Sequence, residues 1–178
     1  MKKLFSAAVI AGAMALTPAI FAATPAVAQG VNIDLLAGME AEVEALVVQY
    51  ADDVVAFEAA IEAYIVGSAD PVTAGQAVIN VLTNPKDDAV RLLLAENPAL
   101  KEAGGRGLGA AIAVLGLTNP EAAAILQALV EASGDPVLQA AVLEGTETKT
   151  ASLLAQAAPV VFRAGSGDST PESPASPN

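Results

Sequence analysis

Carboxylates dominate the chemistry open to this chain. Its 178 residues include 20 Asp and Glu, eight Lys and Arg, two Tyr, and no His or Cys. Residue type alone excludes Ser-His-Asp catalysis, imidazole acid–base chemistry, histidine-ligated zinc or haem, thiolate nucleophiles and disulfides. Two things remain within reach of carboxylates: general acid–base hydrolysis by a pair, and cation binding. Paired-carboxylate hydrolases of sugars hold the two groups in a cleft. Such clefts are usually walled by aromatics, and beyond residue 28 this chain has only Tyr50, Phe57, Tyr64 and Phe162. For calcium, the densest acids are Glu40, Glu42 and Glu44, and the Asp52-Asp53 pair. A tight calcium site takes about six to eight oxygens from a turning loop that contains glycine. No D-x-[DN]-x-[DN]-G loop occurs, and successive residues of a helix point different ways. The expectation is diffuse cation attraction, with no metal site, no cofactor and no catalytic residue.

Gly105-Arg106-Gly107-Leu108-Gly109-Ala110 contains a G-x-G-x-x-A match. A dinucleotide site needs that motif between a strand and a helix. Here it follows the helical stretch Ala99 to Ala103, so it is expected to be a flexible connection between helices. Its glycines would supply left-handed turn geometry, and Arg106 would pair with a nearby acid.

The net charge of −12 disfavours nucleic acid and anionic membrane surfaces as partners, since both are bound through an excess of Lys and Arg. Met1-Lys2-Lys3, the apolar run from Leu4 to Ala22 and the small residues Ala26-Val27-Ala28 match a Sec signal peptide over 1–28. Cleavage before Gln29 would remove two lysines, leaving six bases against 20 acids, a net charge of −14. No later apolar stretch reaches the roughly 18 residues that span a bilayer. The product is expected to be periplasmic or extracellular.

The elements that would position any site are helices. Ala, Leu, Glu and Gln abound, and no apolar/polar alternation lasts long enough for a strand. Corners fall at Asp70-Pro71, Asn84-Pro85, Asn97-Pro98, Asn119-Pro120 and Asp135-Pro136. In each pair the Asn or Asp caps a first turn, and proline fits the first helical position, where its missing N–H costs nothing. The expected helices are 34–66, 71–83, 85–96, 98–103, 107–116, 120–133, 136–144 and 149–158, in one all-α domain over 29–163. Leu82-Thr83-Asn84-Pro85 recurs 35 residues later as Leu117-Thr118-Asn119-Pro120, a period that suits a short α-solenoid. An irregular bundle is the plainer expectation. From Ala164 to Asn178 the chain is Ser-, Pro- and Gly-rich, with almost no apolar side chain to bury, and is expected to be a disordered tail.

The 34–66 segment is the most distinctive. Leu36, Val43, Tyr50, Phe57 and Tyr64 recur every seven residues, with Met39, Leu46, Val47, Val54 and Ile61 between them. The other face carries Glu40, Glu44, Asp52, Glu58 and Glu62. A long amphipathic helix is expected, with short helices packed on it and its acids in solvent. Asp52-Asp53 would cap a second helix if the segment splits near Ala51. Any part of the seam left open would dock a partner helix or a second copy. The candidate binding residues are therefore Tyr50, Phe57 and Tyr64, with Val54 and Ile61. Taken together, the sequence points to an exported, acidic, non-catalytic protein that acts by protein–protein binding or self-association. The runner-up is a small carboxylate-dependent hydrolase of the cell envelope, and a third option is a helical stress or surface protein with no specific ligand.

Overall fold

The computed structural model describes residues 31–157. The expected signal peptide, 1–28, and the expected disordered tail, 164–178, lie outside the described residues. Seven helices and no strand are found among the described residues: α1 (Ile33–Gln49), α2 (Val54–Gly67), α3 (Pro71–Thr83), α4 (Asp88–Glu96), α5 (Pro98–Thr118), α6 (Pro120–Ala132) and α7 (Pro136–Ala157). The all-α expectation is met, and the arrangement is an irregular bundle. None of these helices is long and apolar enough to cross a membrane.

Four of the five predicted Pro corners open helices, at Pro71, Pro98, Pro120 and Pro136. Asp70, Asn119 and Asp135 accept first-turn N–H groups, from Thr73 at 3.0 Å, Ala122 at 3.2 Å and Leu138 at 3.0 Å. Asn97 makes no such bond; its amide donates instead to the Ala51 carbonyl at 3.4 Å. Pro85 is the exception, because α4 starts three residues later. Asp87 caps it, accepting from the N–H groups of Ala89 and Val90.

The long 34–66 helix is two helices. The chain breaks at Tyr50–Asp53, and the Asp53 carboxylate caps α2 by accepting from Ala56 N–H at 2.9 Å. In one straight helix Met39 and Tyr64 would stand roughly 37 Å apart at 1.5 Å per residue. Instead the Tyr64 hydroxyl donates to the Glu42 carboxylate at 2.9 Å and lies 3.4 Å from the Met39 carbonyl, so α2 folds back along α1.

The predicted helices 98–103 and 107–116 are one helix, α5, and so are 136–144 and 149–158, as α7. The glycine-rich segment is not a connection. Each glycine in a helix interior costs about 1 kcal/mol relative to alanine, which is why it reads as a break. Close approach of other elements offsets that cost. A Cβ on Gly107 would meet the Glu58 carbonyl of α2, and one on Gly104 would crowd Leu82 and Phe57. A Cβ on Gly109 would collide with the Val142 carbonyl, and one on Gly145 with the Arg106 carbonyl. Gly109 and Gly145 therefore let α5 and α7 meet backbone to backbone. Thr146 seals the contact, its hydroxyl 3.1 Å from the Gly109 carbonyl and 2.8 Å from that of Val142. Gly105 lies by Ala141, and Gly109 by Val142 and Thr146, so the two helices run parallel.

Helix α5 is the hub, packing on α2, α3, α4, α6 and α7. A solenoid repeat touches only its neighbours, so the 35-residue repeat is not one of packing. It is a repeat of helix ends: Asn84 and Asn119 close α3 and α5 with nearly the same backbone, φ −150° in both and ψ 69° and 74°. After Asn119 a new helix begins, whereas after Asn84 the chain runs into the Pro85–Asp87 link.

The acids expected in solvent mostly hold the fold together. Glu40 is only 4% exposed. It accepts from the Asn80 amide at 2.6 Å and from the Lys86 ammonium. Glu44 accepts the backbone N–H groups of Lys86 and Asp87 at 2.8 and 2.9 Å, strapping the α3–α4 link to α1. Glu58 pairs with Arg106 at 2.8 Å and Glu62 with Lys149 at 2.6 Å. Of the five predicted solvent-facing acids, Asp52 is exposed and unpaired among the described residues.

Burial raises the Glu40 carboxyl pKa, but the hydrogen bonds from Lys86 and Asn80 outweigh it, and the net shift is downward. The charged form is thus favoured by folding. Its contribution is complete above the ordinary glutamate pKa of about 4.3 and is lost as pH falls through the lower folded value. Asp135 shifts down likewise, with burial outweighed by Lys101 and the Leu138 N–H. Glu40→Gln is expected to cost about 1–2 kcal/mol at neutral pH, since Lys86 is well solvated. The cost should shrink below pH 4. Urea unfolding of both proteins from pH 7 to pH 3 checks this, and a pH-independent difference would contradict it.

Candidate docking groove

The predicted anchors do not form one surface. Phe57 and Ile61 are fully buried in the core, together with Val43, Val47 and Ile65. Phe57 and Ile61, expected as candidate contacts, are core residues. The physical reason is the fold-back at Tyr50–Asp53: it turns the heptad seam inward, with α1 against α3 and α2 against α5. Tyr50, Val54 and Tyr64 are half-buried and pack on the same core. The Tyr64 hydroxyl is taken up by Glu42; burial first, and then that carboxylate, push its pKa well above the usual tyrosine value.

The apolar surface that stays open lies elsewhere, where α5, α6 and the outer half of α7 converge. A groove of about 440 Å³ runs there between Ile112 and Leu117 of α5, Ala123 of α6, and Leu153, Leu154 and Ala157 of α7. Leu117 is 73% exposed and Leu154 68%. Past Gln127 and Thr146, which line both, the groove continues into a second depression of about 350 Å³. That part includes Val130, Val142, the exposed Leu143 and the carboxylate of Glu131.

Each wall has a local cause. Thr118-Asn119-Pro120 turns the chain sharply from α5 into α6, which leaves Leu117 at the lip. The close approach of Gly109 to Val142 and of Gly145 to Arg106 holds α7 against α5 and sets its direction, so that it runs on beside the end of α5. The α7 residues from Glu147 onward are mostly exposed, with Leu153 half-buried against the groove floor.

The electrostatics are one-sided. All five bases among the described residues are engaged: Lys86 with Glu40, Arg91 with Asp88, Lys101 with Asp135, Arg106 with Glu58, and Lys149 with Glu62. The described residues hold 18 acids, so the surplus negative charge has no partner within them. No group of three or more acids among the described residues converges in a way that would hold a metal ion. Arg106, read as an ion-pair partner, also lies 3.9 Å from Glu144, tying α5 to both α2 and α7.

No known protein family, curated protein or solved structure matches this chain. What the groove offers therefore follows from its own chemistry.

Leu117, Leu143 and Leu154 were not singled out by sequence. Leu117 entered only as part of the helix-end repeat, and Leu143 and Leu154 lie near breaks in the helix pattern. Gly145 and the polar run Thr146-Glu147-Thr148-Lys149-Thr150 hid the continuity of α7. The available signal was the three-and-four spacing of Leu143, Thr146, Thr150, Leu153 and Ala157.

Proposed function

We propose that this chain is an exported, non-catalytic binding protein whose α5–α6–α7 groove takes an apolar, basic segment of another protein. The observation that carries it is a continuous apolar groove with exposed leucine lips on a body whose bases among the described residues are all ion-paired. Exposed apolar patches on a folded body mark interaction sites, and complementary charge guides a partner to them. The signal-like segment 1–28 supports an exported setting. Self-association is the lesser option, because two copies would each bring the same acidic surplus.

A defined probe tests this: an amphipathic Leu/Lys helical peptide, titrated against wild type and Leu117→Glu. Leu117→Glu adds a negative charge and removes the apolar lip. If the groove is the site, binding falls about tenfold, or 1.4 kcal/mol. Unchanged or tighter binding would mean that charge alone attracts the peptide, and would sink the proposal.

A further inference from the structure

The described residues stop at Ala157, which is itself part of the groove wall. The chain continues Ala158-Pro159-Val160-Val161-Phe162-Arg163 before the polar composition of 164–178 sets in. We infer that Val160, Val161 and Phe162 of this same chain occupy the α5–α6–α7 groove and are displaced when a partner binds.

Four observations support this occupant. The first is position. The segment follows directly on Ala157 at the groove rim, and Pro159 disfavours helical geometry for Ala158, so a course straight along the α7 axis is not the preferred one. The second is composition. Val160, Val161 and Phe162 are apolar, and Phe162 is the one aromatic in the sequence after Tyr64. The third is reach. Five extended residues from Ala157 span roughly 17 Å. The eleven helical steps from Thr146 to Ala157 cover about 16 Å. Phe162 can thus retrace α7 as far as Thr146, where the two depressions join. The fourth is charge. Arg163 follows directly and is the only base after Lys149. The far depression carries Glu131, which has no ion pair among the described residues. The segment has the chemistry proposed for the partner, apolar residues beside a base, and would act as a built-in competitor. The inference rests on the groove being a docking site.

The absence of Trp from the chain makes the test direct. Phe162→Trp, in the full exported protein, places a single indole in the segment. In the docked state its emission is blue-shifted and acrylamide quenches it several-fold less than in a free 158–178 peptide with the same substitution. Leu117→Glu or Leu154→Glu, both at exposed sites, should return it to the peptide values. Protection should not vary with protein concentration, and the Leu/Lys peptide should abolish it. Peptide-like quenching in the intact protein would overturn the inference. So would protection that grows with concentration, because the occupant would then be a second copy. If the indole of the Phe162→Trp protein is unprotected while the Leu/Lys peptide still binds in a Leu117-dependent way, the groove remains a docking site and only its self-occupancy fails.

Discussion

Gly109→Ala should destabilise the protein by about 3 kcal/mol or more, against a total stability of roughly 5–15 kcal/mol for a typical domain. By propensity alone the change should help, because alanine is the better helix former by about 1 kcal/mol. The sign reverses because the new methyl would collide with the Val142 carbonyl and crowd the Thr146 N–H, both backbone of α7. Backbone cannot rotate away as a side-chain tip can, so α7 would have to lift from α5. That would also break the Thr146 hydroxyl contact with Gly109. Gly145→Ala should cost a similar amount from the other side. Gly116→Ala is the internal control: it lies in the same helix with nothing near the new Cβ, and should gain up to about 1 kcal/mol. Thermal unfolding separates these, at about 2–4 °C per kcal/mol for a chain of this size. Equal effects at Gly109 and Gly116 would mean that the two helices do not meet through their backbones.

Phe57→Ala should cost about 3–5 kcal/mol, the usual range for removing a fully buried aromatic. The Phe57 ring lies against Gly104 of α5 and shares that contact with Leu82, so its loss opens a void where three helices meet. The result also decides between two roles for the seam. A docking residue would leave stability nearly unchanged and weaken binding, whereas a core residue does the reverse. Tyr50→Ala, at a half-buried position, should cost less than half as much. Urea midpoints of the three proteins test this, and a Phe57→Ala protein as stable as wild type would refute the packing described.

The two predictions also mark what sequence could and could not convey. The Asn/Asp-Pro corners were legible because capping is local: Asp70, Asn119 and Asp135 act on residues two or three positions away. The seam was legible as a periodicity but not as a fold. A seven-residue spacing continues through a reversal as easily as through a straight helix, and only the Asp52-Asp53 pair marked the turn. The Gly104–Gly109 stretch misled for a physical reason. Propensity counts the entropy lost by glycine, while the compensation comes from Glu58, Ala141 and Val142, distant in sequence and brought close only by the fold. The acids of α1 and α2 read as a solvated face because their partners Lys86, Arg106 and Lys149 lie more than 40 residues on. The groove was the least visible. It requires α5 and α7 to run parallel, and neither helix carries that information alone.

The most direct test of the docking groove is site-specific photo-crosslinking in the native host, with the photo-reactive residue at Leu117 and, for comparison, at the equally exposed Val55 of α2. A discrete adduct is expected from Leu117 to a lysine- or arginine-bearing apolar segment of another protein, and none from Val55. Folded, abundant protein that gives no adduct at Leu117, or the same adducts at both positions, would contradict it.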